Sequence, residues 1–310
     1  MSVAHELHPI LGAPPQGWRL SESTLARELH MEGRGLHTGR KVRLRVLPSY
    51  GEEGFRGIVF KRIRGSECLS EARTAYSLWR KHPLCSTLQG SNGMLFRTVE
   101  HILAALLMRE IDHAIVEMDA EEVPILDGGA SEWIQAIDAC GREDLASPKR
   151  FIQIIKPFEY TFGEISAYRV EPASYYGADV TGLERGFSAM RWSGTLTPVS
   201  FAAEIAPARS HGHLLAALPA ILGGYLWGKP ILRGARISSV AAIFNKRVIG
   251  GMTVPDEFVR HRVLDMVGDF AIAGAPLLGK LTVRRPSHRR NQKFMRTLLK
   301  NQDCWQWASW

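Results

Sequence analysis

The chain has 310 residues, 45% hydrophobic and 23% charged, with four cysteines and a formal net charge of +8. That composition belongs to a soluble globular protein able to bury a sizeable core, and its length suggests two domains. Cys68, Cys85, Cys140 and Cys304 form no C-x-x-C pair, which argues against a cysteine-rich zinc site or a disulfide framework and fits a reducing compartment. Much of the charge excess lies late, in Arg284, Arg285, Arg289, Arg290, Lys293, Arg296 and Lys300. No nucleic-acid module surrounds that run. It suits the phosphate groups of a small substrate, transient contact with an anionic membrane surface, or a solvated face. The most apolar run, Leu214 to Trp227, is too short to span a bilayer and is broken by Pro219 and Gly223-Gly224. No apolar leader follows Met1, so the expectation is a cytoplasmic monomer.

Residues 1–23 read as a mobile lead-in, followed by a first α+β domain over 24–147. Leu29 to Arg40 carries Gly33, Gly35 and Gly39 and reads as a tight loop. Val42 to Val46 alternates as a strand, and Gly57 to Lys61 reads as its partner. Residues 85–97 are polar and loop-like. Thr98 to Met108 is a helix with Thr98 as its expected N-cap. His113 to Met118 is a strand, and Val123 to Gly129 a turn that leads into a helix from Ser131 to Cys140. Gly141 to Lys149, charged and holding Pro148, reads as the linker to a second α+β domain over 148–310. There Phe151 to Ile155 and Lys280 to Arg284 read as strands, 256–272 as a helix, and about Gln292 to Asn301 as another. Strands followed by a helix in each half suit two similar α+β layers.

The helix opening at Asp256 holds the most informative pattern. Phe258, Val259, Val263, Met266, Val267 and Phe270 make its apolar face, and Gly274 is a plausible stop. His261, Asp265 and Asp269 are four apart and share one stripe. Gly268 lies near that stripe, where a missing side chain lets something come close. An imidazole and a carboxylate one turn apart can both reach one metal ion. The same residues equally suit a solvated network with Arg260 and Arg262. A catalytic zinc keeps one position open and takes three protein ligands, so a third must come from elsewhere. Glu100-His101 opens an otherwise apolar helix. His101 there is either a buried histidine satisfied by one hydrogen bond or a ligand. Glu100 beside it is costly to bury without a purpose.

Several stretches together resemble one family, the UDP-3-O-acyl-N-acetylglucosamine deacetylases of lipid A biosynthesis. They are Gly33-Arg34-Gly35-Leu36-His37-Thr38-Gly39, Thr98-Val99-Glu100-His101-Ile102-Leu103-Ala104-Ala105-Leu106, Glu122-Val123-Pro124-Ile125-Leu126-Asp127-Gly128 and Asp256-Glu257-Phe258-Val259-Arg260-His261-Arg262-Val263-Leu264-Asp265. Asn301-Gln302-Asp303-Cys304-Trp305 looks like the family's C-terminal region. The likeness covers nearly the whole chain from about residue 23. It implies an α+β fold of two related two-layer domains, sheets with packed helices, facing each other across a cleft that holds zinc. It implies a zinc-dependent amidase that frees acetate and an amine from a UDP-linked acylated glucosamine. Carried over by residue, the zinc ligands would be His101, His261 and Asp265, and Glu100 the general base. His288 would be the protonated histidine that helps the amine leave, with Asp269 holding and polarising it. Arg262, where the family has Lys, would meet a phosphate. Ser210, where the family has Thr, would offer its hydroxyl to the oxyanion, and Arg285 would be a basic residue of the nucleotide site. Two alternatives are a related zinc amidase for another acylated nucleotide sugar and a catalytically weak lipid-sugar binding module.

The departures fall in the substrate region. Ala208-Arg209-Ser210-His211-Gly212-His213 stands where the family has Ala-Arg-Thr-Phe-Gly-Phe. His211 and His213 replace two aromatics that border the family's acyl-chain passage, or else are surface histidines. Only a faint trace of the family's Gly-Gly-Ser-Leu-Asp-Asn-Ala remains around Arg236 to Ala242, and Ser287 replaces the Gly before His288. Leu214, Leu215, Leu218, Ile221 and Leu222 suit either the lining of that passage or an ordinary buried helix face.

Overall fold

A computed structural model describes residues 7–10, 13–15, 17–51, 56–82, 84–226 and 231–310. The alternation in Val42 to Val46 becomes the strand Lys41–Pro48, with Val42, Leu44 and Val46 turned into the core. It belongs to a five-stranded sheet ordered Leu29–Arg34, Lys41–Pro48, Ala114–Met118, Ile58–Arg64, Glu67–Arg73. Ala114–Met118 therefore separates the two strands expected to be partners, running antiparallel to Lys41–Pro48 and parallel to Ile58–Arg64. Side-chain period tells which face is buried, not which strand lies alongside.

The first half of the glycine-rich stretch is a strand where a loop was expected, and residues 35–40 form the expected tight turn. Leu29–Arg34 pairs along Lys41–Val46. Gly35 is small because of close approach: a Cβ there would lie 2.2 Å from Glu122 Oε2. Only Gly39 makes the turn, at φ +66°. Parts of the expected lead-in are also paired. Ser21–Leu25 runs antiparallel to Arg142–Pro148, and His8–Pro9 runs parallel to Ala308–Ser309. The stretch expected to be the linker is itself largely a strand, Arg142–Pro148. Its polar composition reflects an exposed position, and Pro148 falls at the irregular end of the register.

Glu22 fixes this edge. Its buried carboxylate accepts hydrogen bonds from His113 Nε2 at 3.0 Å, Ser147 Oγ at 2.7 Å, Arg56 at 3.1 Å and Arg150 at 3.1 Å. Burial alone would raise its pKa, but the bonds from His113 and Ser147 and the charges of His113 and Arg150 outweigh burial and bring it to about 2. A depressed carboxylate pKa gives stability that is complete above the unfolded value and lost as pH falls through the folded one. The stability carried by Glu22 is expected to decline between about pH 4.5 and pH 2. Glu22→Gln, which leaves its cationic partners unmatched, is expected to cost about 3–5 kcal/mol at pH 7 and to flatten that decline in urea unfolding.

Among the described residues the α-helices are α1 Glu100–Met108, α2 Ser131–Cys140, α3 Pro198–Ser200, α4 Leu214–Leu226, α5 Glu257–Ala271 and α6 His288–Lys300. Thr98 does not cap α1. Val99 holds the cap position, while Thr98 sits at φ +57° and donates its hydroxyl to Glu122 Oε1 at 3.0 Å. Helix α5 ends near the expected stop, where Gly274 N donates to Ala271 O at 2.9 Å. Helix α6 begins at His288, one turn earlier than expected. Arg289 and Arg290 in its first turn oppose the helix dipole, so charge gave no sign of a start there.

Seven later strands and His8–Pro9 make an eight-stranded sheet. Leu277–Arg284 lies at its centre, parallel to Phe151–Ile154 and to Tyr176–Gly182 and antiparallel to Ser166–Glu171. Eight of the nine residues of α1 are buried, as expected of a helix apolar on all sides. It packs against α2 and, across the molecule, against α5, and one hydrophobic core runs through both sheets. Gly268 is the point of contact: a Cβ there would lie 2.0 Å from the Glu100 carbonyl oxygen. The stripe therefore faces the α1 backbone. Because backbone must move to admit even a methyl, Gly268→Ala is expected to cost about 1–3 kcal/mol, read as a lowered denaturant midpoint. No helix among the described residues is long and apolar enough to cross a membrane.

Candidate metal and acid–base centre

The α1–α5 contact brings three potential ligands together. One ligand atom each of His101, His261 and Asp265 lies within 4.8 Å of the others, and all three residues are buried. His101 Nδ1 donates to Gly129 O at 2.9 Å, and His261 Nδ1 to Ala208 O at 3.0 Å. Each bond fixes the tautomer and leaves Nε2 with its lone pair, the state in which imidazole binds a metal. The two carbonyls are held by one frame, since Ala130 N donates to Ala206 O and Ser210 N to Gly128 O, both at 2.8 Å. Burial brings His101 and His261 to about 4, so both rings are neutral at pH 7. Burial opposes the Asp265 carboxylate, but His261, His288 and Arg262 hold its pKa well below the usual range. Asp265 Oδ1 is buried with no hydrogen-bond partner among the described residues. Two neutral imidazoles, one carboxylate and an orphaned oxygen fit a zinc ion. Of the solvated network only the Arg262–Asp265 pair is present, at 3.5 Å; Asp265 and Asp269 are buried, and Arg260 pairs instead with Glu204 at 3.0 Å.

Beside this set lies an acid–base pair. Glu100 Oε2 accepts from Ser86 N at 3.0 Å, and Oε1 is 3.7 Å from His288 Nε2. Burial pushes Glu100 up to about 8, against the pull of the His288 charge. A divalent cation on the neighbouring ligands would favour its ionised form. Burial opposes the His288 charge, yet Asp269, Asp265 and Glu100 raise its pKa to about 10 and keep it cationic at neutral pH. His288 Nδ1 donates to Asp269 Oδ2 at 3.0 Å. Asp269 in turn accepts from Ser86 Oγ and from Asn291 Nδ2, and Asn291 Oδ1 accepts from Tyr168 OH at 2.5 Å. Sequence reasoning missed Ser86, Asn291 and Tyr168. Asn291 at i+3 from His288 was the one readable signal, hidden by the late start assigned to α6.

The expected substrate residues are spread more widely. Arg262, 3.5 Å from Asp265, and Arg285 line a cavity of about 320 Å³ with Arg290, His211 and Glu184. Arg285 sits at φ +56°, a strained turn that ends the central strand just before His288. Half-buried Ser210 does not line this cavity; it lies two residues past the carbonyl that orients His261. His211 is not a surface residue. Its side chain is 3% exposed, bonds Glu184 at 3.2 Å and lies against the Phe258 ring, centroids 4.7 Å apart. His213, more exposed, bonds the same Glu184 at 2.8 Å. Leu214, Leu215, Leu218 and Leu222 are exposed, so they do not form a core face. A larger cavity of about 680 Å³, edged by Arg34, Lys41 and Arg236, holds none of the candidate site residues.

A second group, His37, His82 and Cys85, also brings potential ligand atoms within 4.8 Å of one another. Arg97 and His288 bear on both of its histidines, which opposes a dication there. Burial and the nearby Glu100 hold Cys85 as the thiol.

Mixed sheets, packed helices and a buried group of potential metal ligands beside a carboxyl–imidazole pair put the chain in the class of α+β enzymes with a candidate metal centre. A family model described as LpxC, UDP-3-O-acyl N-acetylglycosamine deacetylase, matches residues 22–300, and the chain belongs to that family. Relatives named UDP-3-O-acyl-N-acetylglucosamine deacetylase include one from Geotalea uraniireducens, 32% identical over 293 residues, 92% of this chain and 90% of that protein. One from Vibrio cholerae is 31% identical over 297 residues, 94% of this chain and 93% of that protein. One from Aliivibrio fischeri is 29% identical over 298 residues, 94% and 93% of the two chains.

Proposed function

We propose that the protein removes the N-acetyl group from UDP-3-O-acyl-N-acetylglucosamine, with zinc held by His101, His261 and Asp265. The observation that carries this reading is convergence: Glu100 and His101 of α1 meet His261, Asp265 and Asp269 of α5 and His288 of α6. Family membership and the names of the relatives support the substrate. Zinc, when bound, supplies a Lewis acid that polarises the amide carbonyl and acidifies water. Glu100 Oε1 takes the proton of the attacking water. His288 Nε2 delivers a proton to the departing amine, which leaves as a stable neutral group. Asp269 orients His288 through Nδ1 and supports its charge. The Ser210 hydroxyl donates to the oxyanion. Arg262 and Arg285 bind the phosphates, in a cavity with a third cation, Arg290.

The same reading takes residues 24–147 and 148–310 as two layered units that face each other, the ion lying in the cleft between them. It takes the protein as a cytoplasmic monomer, in keeping with four free cysteines. The test is acetate release from the named substrate by purified protein, before and after chelation and zinc return. Release that chelation abolishes and zinc restores is the expected result. Turnover of another acylated nucleotide sugar, with none of this one, would overturn the substrate. Tight substrate binding without acetate release by the zinc-loaded protein would overturn the enzyme.

A further inference from the structure

Half of the exposed large apolar side chains among the described residues fall between Leu214 and Met252. This part of the chain builds one small unit. Ser210–His213 pairs in parallel with Val240–Phe244, which pairs with Arg247–Val248, and α4 packs on the first two strands. Leu215, Leu218, Leu222 and Leu226 follow one another at helical spacing and are all at least half exposed. Phe244, Ile237, Ile249 and Met252 add exposed apolar surface from the sheet and its connections. Helix α4 carries no charged residue, so this stripe is not the dry side of an ordinary amphipathic surface helix. A monomer in water gains nothing by presenting it.

Charge indicates what covers it. Residues 205–255 contain no Asp or Glu at all. The cations Arg233, Arg236, Lys246 and Arg247 are exposed in the same unit. A stretch of chain that exposes leucines and cations and itself contributes no anion complements a surface that is apolar below and anionic above. That is the boundary layer of a bilayer bearing acidic lipids. A second copy of the chain fits less well, since its matching face would set cation against cation. At 13 residues α4 is too short to span a bilayer and the right size to lie along its surface.

We infer that α4 and the adjoining three-stranded sheet dock this protein on an anionic membrane surface, leucines inserted among the acyl chains and Lys246 and Arg247 against the headgroups. The inference does not depend on the proposed reaction. The test is co-sedimentation of the full chain with vesicles of phosphatidylcholine, alone or mixed with phosphatidylglycerol. Wild type is expected to partition onto the mixed vesicles and to be released by salt. Lys246→Glu with Arg247→Glu is expected to weaken that partition at least about tenfold and to remove the preference for the anionic lipid. Leu218→Ser with Leu222→Ser is expected to abolish partition onto both. Circular dichroism checks that the variants fold, and if the leucine pair does not, the exposed charge pair decides alone. Absence of wild-type binding, or equal binding by the folded variants, would overturn the inference. So would a wild-type dimer in sedimentation velocity that Leu218→Ser dissociates, which would assign the face to a second copy.

Discussion

Glu100→Gln is expected to lower acetate release by about 10²–10⁴-fold while leaving the fold and the bound metal in place. The amide keeps the shape of the carboxylate and an oxygen to accept the Ser86 N–H, 3.0 Å away. It cannot take a proton. Neither neighbouring carboxylate is free to substitute: Asp265 is a proposed ligand, and Asp269 is engaged by His288, Asn291 and Ser86. Steady-state kinetics with metal analysis of the same samples checks this. Wild-type turnover in a metal-loaded Glu100→Gln variant would remove Glu100 from the mechanism.

His288→Ala is expected to cost a comparable factor for a different reason, namely loss of the proton donor to the amine. It also strips Asp269 of its cationic partner in a fully buried setting, so stability is expected to fall with activity. His288→Gln separates the two effects, since it keeps a donor toward Asp269 but cannot deliver a proton. Its activity is expected to be as low as that of the alanine variant, with part of the stability recovered in urea unfolding. Equal activities in His288→Gln and wild type would exclude His288 as the acid.

The site was legible where one element carried it. His261, Asp265 and Asp269 lie on one stripe because a helix repeats every 3.6 residues, and their spacing needed no tertiary information. Gly268 was readable as a close approach, though not as an approach to the Glu100 carbonyl. What brings α1 to α5 is tertiary packing through one shared hydrophobic core, and no local pattern encodes that. The same limit hid the insertion of Ala114–Met118 between two strands adjacent in sequence. Thr98 has the chemistry of a cap, but buried Glu122 claims its hydroxyl along with the backbone N–H groups of His37 and Thr38. Ser86 sits in a polar loop where nothing marks one serine above another. The leucines of α4 are apolar enough for a core, and only the structure reveals them as surface.

Elemental analysis of the purified protein, beside His261→Ala prepared in the same way, bears most directly on the shared ion. The expected result is one divalent ion per chain in wild type and none in the folded variant, with acetate release lost in parallel. Metal-free but active wild type, or a His261→Ala protein with undiminished metal, would contradict the convergence of His101, His261 and Asp265 on a single cation.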